Sequence, residues 1–250
     1  MVGGAAGPDI DGVIAVMETI LSRLEPGDAR RHFHTTYLRT TRAVSEEVAK
    51  GGFLDPQWVE RWDVAFADLY LQPFETWDRA GAAPGPWSVV FRTARDRPDL
   101  PALRHVLFGI NVHINYDLPQ ALLAVITDNE FRDPELVALR ARDHEHIDVV
   151  LSSRVSAEDR ELEGPRSLVD RLLTPLNRRA TKRFLSEARE KVWRNAAALS
   201  VARREGPVAL RRRIGELEGL CERRVEDLVQ PGQVLLKLAR RGFGVLLPGA

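Results

Sequence analysis

The chain has 250 residues, and 44% of them are hydrophobic, which is enough for a sizeable buried core. Its 36 basic and 36 acidic residues cancel, so no overall charge favours nucleic acid or an anionic membrane. A single cysteine, Cys221, excludes an internal disulfide framework and a cysteine-based zinc site. The opening residues lack signal-peptide features, and no apolar run approaches the ~20 residues of a membrane span. We therefore expect a cytoplasmic protein without a membrane span or a nucleic-acid partner.

In the first half of the chain, apolar residues recur with the 3.6-residue period of amphipathic helices. After a start at 1–9 that we expect to be flexible, helices are predicted at 10–24, 28–49, 56–77 and 87–94. Gly51 and Gly52 end the second of these helices, whereas Asp55 and Pro56 begin the third.

The second half of the chain repeats the helical period. Helices are predicted at 102–130, 134–155, 165–205 with a break near Pro175, and 207–230, followed by a short terminal helix and tail at 231–250. No alternating strand pattern and no internal repeat is found. We predict one all-α domain over 1–250, a bundle-like arrangement of about eight to ten helices with a polar site between them.

The most apolar of these segments, FGINVHINYDLPQALLAV at 108–125, carries His113 and Asp117 four residues apart. On a helical wheel with Ile110 at zero, Asp117 falls at about −20°, inside the apolar stripe, and His113 at about −60°, on its flank. A buried carboxylate needs a partner. A structural alternative is that Pro119 breaks the helix, so that Asp117 caps a new helix together with Gln120.

The next helix repeats this pattern in RDHEHIDVV at 142–150, where Asp143 lies in the apolar stripe and His146 on its flank. A short connection makes the two helices antiparallel neighbours. We therefore predict one site from His113, Asp117, Asp143 and His146, completed by Asp63. As metal ligands these residues favour zinc, iron or manganese. Without a metal, His113, Asp117 and Asp143 are the predicted catalytic acid–base groups.

Five further polar side chains flank the apolar stripes of neighbouring helices. The residues predicted to line a substrate pocket are Asn111, Asn115, Tyr37, Tyr70 and Asn195. Such a pocket suits a small or lipid-like molecule. His32 and His34 lie near a helix start and are predicted to be surface groups.

The string GINVHINYDLPQAL at 109–122 resembles the core motif of the domain-of-unknown-function 5995 family, roughly Gly-x-Asn-Ala-His-Ile-Asn-x-Asp-Leu. Val112 stands where that motif has Ala. Similar stretches are GGFLDPQWVERWDVAFADLYLQPFETW, RDHEHIDVVL and EKVWRNAAAL, so the resemblance spans about residues 30–200. It implies an all-helical fold and an important role for His113 and Asp117, but no activity.

A looser resemblance concerns the helical zinc-dependent phospholipase C and P1-type nuclease group, which uses His-x-x-x-Asp pairs on helices. His113 and Asp117 have this spacing, as do His144 and Asp148, but the chain lacks the disulfides of that group.

Three functions remain open at this point. The first is a hydrolase or lyase for a small or lipid-like molecule, with or without a divalent metal. The second is a non-catalytic binding or scaffold protein with a structural polar network. The third is a metal-free cyclase or isomerase. A pocket that reaches His113 favours an enzyme, and a sealed network favours a scaffold. A homo-oligomer is compatible with each.

Overall fold

The computed structural model describes residues 9–161, 175–232, 237–238 and 242–250, with side chains outside 151–186. These residues form nine α-helices, one π-helical turn and one 3-10 turn, and contain no strand, which confirms the all-α prediction. The helices are α1 Ile10–Arg23, α2 Arg30–Ala49, α3 Pro56–Ala80, α4 Trp87–Asp96, α5 Ala102–Val112, α6 Leu118–Val125, α7 Pro134–Glu161, α8 Pro175–Glu205 and α9 Pro207–Val229. The π-turn is His113–Asp117, and the 3-10 turn is Glu130–Arg132.

Two helices begin as their Asp-Pro pairs predict. Asp55 Oδ1 accepts the Trp58 N–H at 3.0 Å, and Asp133 Oδ1 accepts the N–H groups of Glu135 and Leu136. The expected flexible start at 1–8 and the helical stretch predicted at 165–174 lie outside the described residues. Of the predicted terminal helix, only Lys237 and Leu238 are described as helical.

Helix α3 lies at the centre of the packing and contacts α1, α2, α4, α6 and the π-turn. Its Trp58, Trp62 and Phe66 recur every four residues, so their rings form one parallel row along the helix. Helices α8 and α9 pack against each other and against α6 and α5 respectively. Within the described ranges, no helix has the length and apolarity that a membrane crossing requires.

The break at Pro119 is a π-turn rather than a new helix start. Asp117 has helical backbone angles, φ −77° and ψ −43°, and its side chain makes no capping hydrogen bond. The Leu118 N–H donates to the His113 carbonyl, five residues back. Because Pro119 has no N–H to continue the α-helical pattern, the helix widens at this point. The capping alternative for Asp117 is therefore wrong, and Gln120 donates to the Tyr116 carbonyl instead.

Gly109 allows α2 to approach α5 closely. A Cβ at position 109 would lie 2.3 Å from Cγ of Phe33, a distance that two carbon atoms cannot adopt. The absent side chain thus leaves room for the Phe33 ring, which packs 5.9 Å from the ring of His113.

Candidate functional site

The centre of the candidate site is a buried His–Asp pair in the π-turn. His113 Nδ1 lies 2.8 Å from Asp117 Oδ2, and Trp87 Nε1–H donates to the same oxygen at 2.9 Å. His113 is 3% exposed and Asp117 is 0% exposed. The indole N–H can only donate, so Oδ2 is an acceptor. We therefore assign the His113 proton to Nδ1, which leaves Nε2 with a free lone pair.

Aromatic rings enclose this imidazole. Phe66 stacks on it at 3.6 Å between centroids and 7° between planes, and Tyr37 meets it edge-on at 4.4 Å. His113 is therefore the fourth ring of the row that begins at Trp58. The remaining rings of this aromatic cage are Phe33, Tyr70 and Trp87.

Burial opposes charge on both members of the pair. It lowers the pKa of His113 well below its ordinary value. It raises the pKa of the Asp117 carboxyl well above the usual range, although the Trp87 hydrogen bond acts in the opposite direction. The imidazole is therefore neutral, and any proton that Asp117 takes up belongs on Oδ1, the oxygen without a donor.

Several buried polar atoms around the pair have no hydrogen-bond partner among the described residues. These atoms are Tyr37 Oη, Asp63 Oδ2, His113 Nε2 and Asp117 Oδ1. Each such group costs about 1–3 kcal/mol of folding free energy, so their concentration in one region calls for a ligand or water. Burial and the charges of Asp63 and Asp117 raise the Tyr37 pKa, which keeps its phenol protonated.

A small recess lies on the outer side of the cage. Its cavity volume is about 10 Å³, roughly the space that one water molecule needs. It is lined by the cage rings of Phe33, Tyr70 and Trp87. Arg30, Phe91 and His105 also line it. The recess does not reach His113, because these rings lie between the two. A molecule that enters from this side must displace them.

Asp143 and His146 make separate structural contacts. The Asp143 carboxylate accepts the N–H groups of Leu54 at 2.7 Å and Asp55 at 2.9 Å, just before α3 begins. His146 Nε2 lies 2.9 Å from Glu47 Oε1. The inward direction of Asp143 was predicted from the wheel, but its partners are backbone groups of a non-periodic loop.

The predicted metal-ligand set is not assembled in the part of the chain that the structure describes. No group of three or more His, Cys, Asp or Glu side chains there has an arrangement that could hold a metal ion. Asp63 is 3% exposed on α3, near Tyr37, and makes no ion pair with His113 or Asp117 in these residues. Of the residues predicted to form one ligand shell with Asp63, the structure brings His113 and Asp117 together, whereas Asp143 and His146 contact residues 54–55 and Glu47.

The predicted pocket residues divide into two groups. Tyr37 and Tyr70 lie in the cage beside His113. Asn111, Asn115 and Asn195 are buried elsewhere and hydrogen-bond to the backbone of residues 243–247. They therefore hold the chain's own C-terminal segment rather than lining the cage.

Sequence reasoning missed several members of the site. His34 is 0% exposed, with Nδ1 2.9 Å from the Tyr70 hydroxyl and Nε2 2.8 Å from the Met17 carbonyl, so its predicted surface position is wrong. Phe66 shares the apolar stripe of Trp62, which signals burial but not its contact with His113. Trp87 begins α4 after a Gly- and Pro-rich loop, and no periodic signal identifies it as the donor to Asp117.

One protein family has a model that matches residues 10–231, and its description is a family of unknown function, DUF5995. No curated protein and no solved structure matches the chain.

Tyr37 and Tyr70 allow a matched comparison, because among the described residues only the Tyr70 hydroxyl has a hydrogen-bond partner. We expect Tyr37→Phe to leave the free energy of unfolding unchanged or raise it by about 1 kcal/mol, because the lost hydroxyl has no hydrogen-bond partner among the described residues. Tyr70→Phe should lower it by about 1–3 kcal/mol, since His34 Nδ1 loses its partner. Urea unfolding of both variants measures the difference. An equal loss in both would show that the Tyr37 hydroxyl is hydrogen-bonded in the folded protein.

Asp63 should make stability depend on pH. Burial raises its pKa from 3.8 to about 7 in the folded chain. A raised folded pKa favours folding below the unfolded value, near 4, and this stability is lost as pH rises towards about 7. Asp63→Asn should therefore match the native chain near pH 4 and exceed it by at most about 4 kcal/mol at pH 8.

Urea unfolding at several pH values tests the Asp63 prediction. Asp99→Asn, which changes an exposed carboxylate paired with Arg97, is the control and should show no such gain at pH 8. A stability difference between Asp63→Asn and the native chain that does not vary with pH would contradict the assignment.

Proposed function

The chain belongs to the DUF5995 family of unknown function, and from its buried His113–Asp117 pair we propose that it is an acid–base enzyme that needs no metal. The single observation that carries this proposal is the Nε2 lone pair of His113, buried in an aromatic cage without a partner among the described residues. Of the enzyme functions open from the sequence, this geometry best supports the isomerase, whereas the closure of the cage favours the scaffold. The described residues do not fit a metal centre, so no step is assigned to one.

The proposed reaction moves a proton next to a carbonyl group. His113 Nε2 accepts a proton from the carbon beside the carbonyl. The imidazolium that forms, which burial disfavours, keeps its Nδ1–H hydrogen bond to Asp117. Asp117 is fixed in turn by Trp87. If the substrate is a β,γ-unsaturated ketone, the carbanion that forms is a dienolate, and the imidazolium returns the proton to its γ-carbon while the C=C bond moves into conjugation with the carbonyl. The reaction is then an isomerisation that consumes no co-reactant.

Tyr37 is suited to the oxygen that gains charge in this step. Its ring lies 4.4 Å from that of His113, and its hydroxyl has no partner in the described structure. Because its raised pKa keeps the phenol protonated, it can donate a hydrogen bond to the enolate oxygen. A preorganised donor in a dry site stabilises such an oxyanion more strongly than water does.

The cage and recess favour a small, neutral, largely apolar substrate. Aromatic rings enclose His113 in the cage, and four of the nine residues that line the recess are Phe, Tyr or Trp. The one cation at the recess, Arg30, is paired with Asp28 at 2.6 Å and Asp78 at 2.5 Å. Since its charge is neutralised, it offers little attraction to an anion. A ring-containing ketone therefore fits better than a carboxylate or a phosphate.

A second candidate function is a non-catalytic scaffold. The observation that favours it is the closure of the cage, because the recess ends at the rings of Phe33, Tyr70 and Trp87 and does not reach His113. In such a protein the His113–Asp117 pair only fixes the packing of the π-turn against α4.

Deuterium exchange distinguishes the two candidates. The chain is incubated in D2O with 2-tetralone, a small neutral ketone, and loss of the signals of the hydrogens next to the carbonyl is followed by NMR. We expect acceleration over buffer, with a loss of about 10²–10⁴-fold in His113→Phe. Tyr37→Phe should lose less, on the order of tenfold to a hundredfold, because only one oxyanion donor is removed.

The control is His144→Gln, which removes another buried histidine, one that accepts from Trp193 Nε1–H outside the cage. With its fold confirmed by thermal melting, it should exchange the ketone as the native chain does. No acceleration by the native chain, or equal acceleration by His113→Phe, would overturn the enzyme proposal in favour of the scaffold.

A further inference from the structure

Residues 242–250, here called the C-terminal segment, are bound by the helical body as a ligand peptide would be. The segment is non-helical, and its apolar residues Phe243, Val245 and Leu247 are buried at alternate positions. Val245 and Leu247 pack into a cluster with Leu123 of α6, Leu199 of α8 and Leu217 of α9. The groove that holds the segment thus lies between these helices and the π-turn.

Two asparagines hydrogen-bond to the backbone of the segment with the same pattern. Asn115 Nδ2 donates to the Phe243 carbonyl at 3.2 Å, and its Oδ1 accepts the Val245 N–H at 2.9 Å. Asn195 repeats this with the Val245 carbonyl at 3.0 Å and the Leu247 N–H at 2.9 Å. Each carboxamide therefore pairs with the carbonyl of one residue and the N–H two residues later, as a residue of a parallel strand does.

Charged side chains bind four further backbone oxygens of the segment, and one of these contacts runs from Arg194 to Ala250. Arg224 donates to Gly242, Lys191 to Gly244 and Arg213 to Pro248, at 2.5, 3.1 and 2.9 Å. All of these contacts go to backbone atoms, which every peptide has. Sequence preference then comes from the apolar positions 243, 245 and 247 and from Gly244, where a Cβ would lie 3.2 Å from Cα of Ala188.

The C-terminal segment leaves one buried polar atom of the groove without a hydrogen bond from the described residues. Asn111 Nδ2 donates to the Phe243 carbonyl at 3.3 Å, but its Oδ1 is buried without a partner among the described residues. Asn111, Asn115 and Asn195 all lie within the range 10–231 that matches the family, whereas the segment lies beyond it. The recognising groups thus belong to the family domain and the occupant does not.

We propose that this groove is a binding site for an extended peptide with apolar residues at three alternate positions, and that the C-terminal segment is its exchangeable resident. The partner is another polypeptide that presents such a segment. Empty buried carboxamides are costly, so the groove always has an occupant, and a partner must compete with the resident. The resident has the advantage of a tethered ligand, whose effective concentration is high.

The binding experiment uses the full chain with the resident weakened. Val245→Asp together with Leu247→Asp places two charges against the apolar cluster and should expel the segment. A fluorescent peptide with the sequence of residues 242–250 should then bind this variant saturably in anisotropy measurements, at least tenfold more tightly than it binds the native chain. A peptide that carries the same two Asp residues is the control and should not bind.

Adding Asn195→Ala to the weakened chain should reduce peptide affinity at least tenfold, because two backbone hydrogen bonds are lost. Absence of peptide binding to the folded double variant, or affinity that is unaffected by Asn195→Ala, would overturn the proposal.

Hydrogen exchange of the native chain tests the proposal even where the double variant does not fold. An exchangeable resident leaves the groove without global unfolding. The Val245 and Leu247 amides should then exchange through an opening that costs less free energy than global unfolding and depends weakly on denaturant. Exchange of these amides only through global unfolding would show that the segment is a fixed part of the core.

Discussion

Asp117 Oδ2 accepts hydrogen bonds from Trp87 Nε1–H and His113 Nδ1–H, and the geometry of the site depends on this one oxygen. The first bond ties the π-turn to α4, and the second sets the tautomer and plane of the imidazole. Phe66 can stack on that plane at 3.6 Å only because the ring is held there. The position of the free Nε2 atom follows from these contacts, and so does the chemistry that we propose for it.

The site is arranged in a way that folding alone does not favour. Asp63 and Tyr37 are buried with polar atoms that lack partners among the described residues, although apolar side chains of similar size would pack there at lower cost. Groups that reduce stability and cluster beside a His–Asp pair are typical of a site kept for binding or catalysis. The closed aromatic wall is compatible with this reading, because displacement of a few rings would expose Nε2 to a ligand while water stays excluded.

The sequence predicted which polar side chains face the interior, but it said much less about the residues that they contact there. Helical periodicity predicted the all-α fold and the inward position of Asp117 and Asp143 correctly. It could not show that Asp143 binds the backbone of residues 54–55, since that loop has no period. A helical wheel assumes a regular helix and therefore could not predict the π-turn, although Pro119 indicated that the helix is interrupted near this position. Asn115 appeared to be a pocket residue because a helical wheel gives no sign of its contacts with a segment as distant in the chain as residues 243–247.

The protonation state of His113 decides whether this residue can act as the general base. NMR of the imidazole nitrogens and carbons can follow this residue from about pH 5 to pH 8 in the full chain, with His113→Phe to assign its signals. We expect a neutral ring over the whole range, with Nδ1 protonated and Nε2 unprotonated, because burial lowers the pKa of His113 well below 6.5. A ring that titrates near 6.5, or one that carries its proton on Nε2, would contradict the proposed general base.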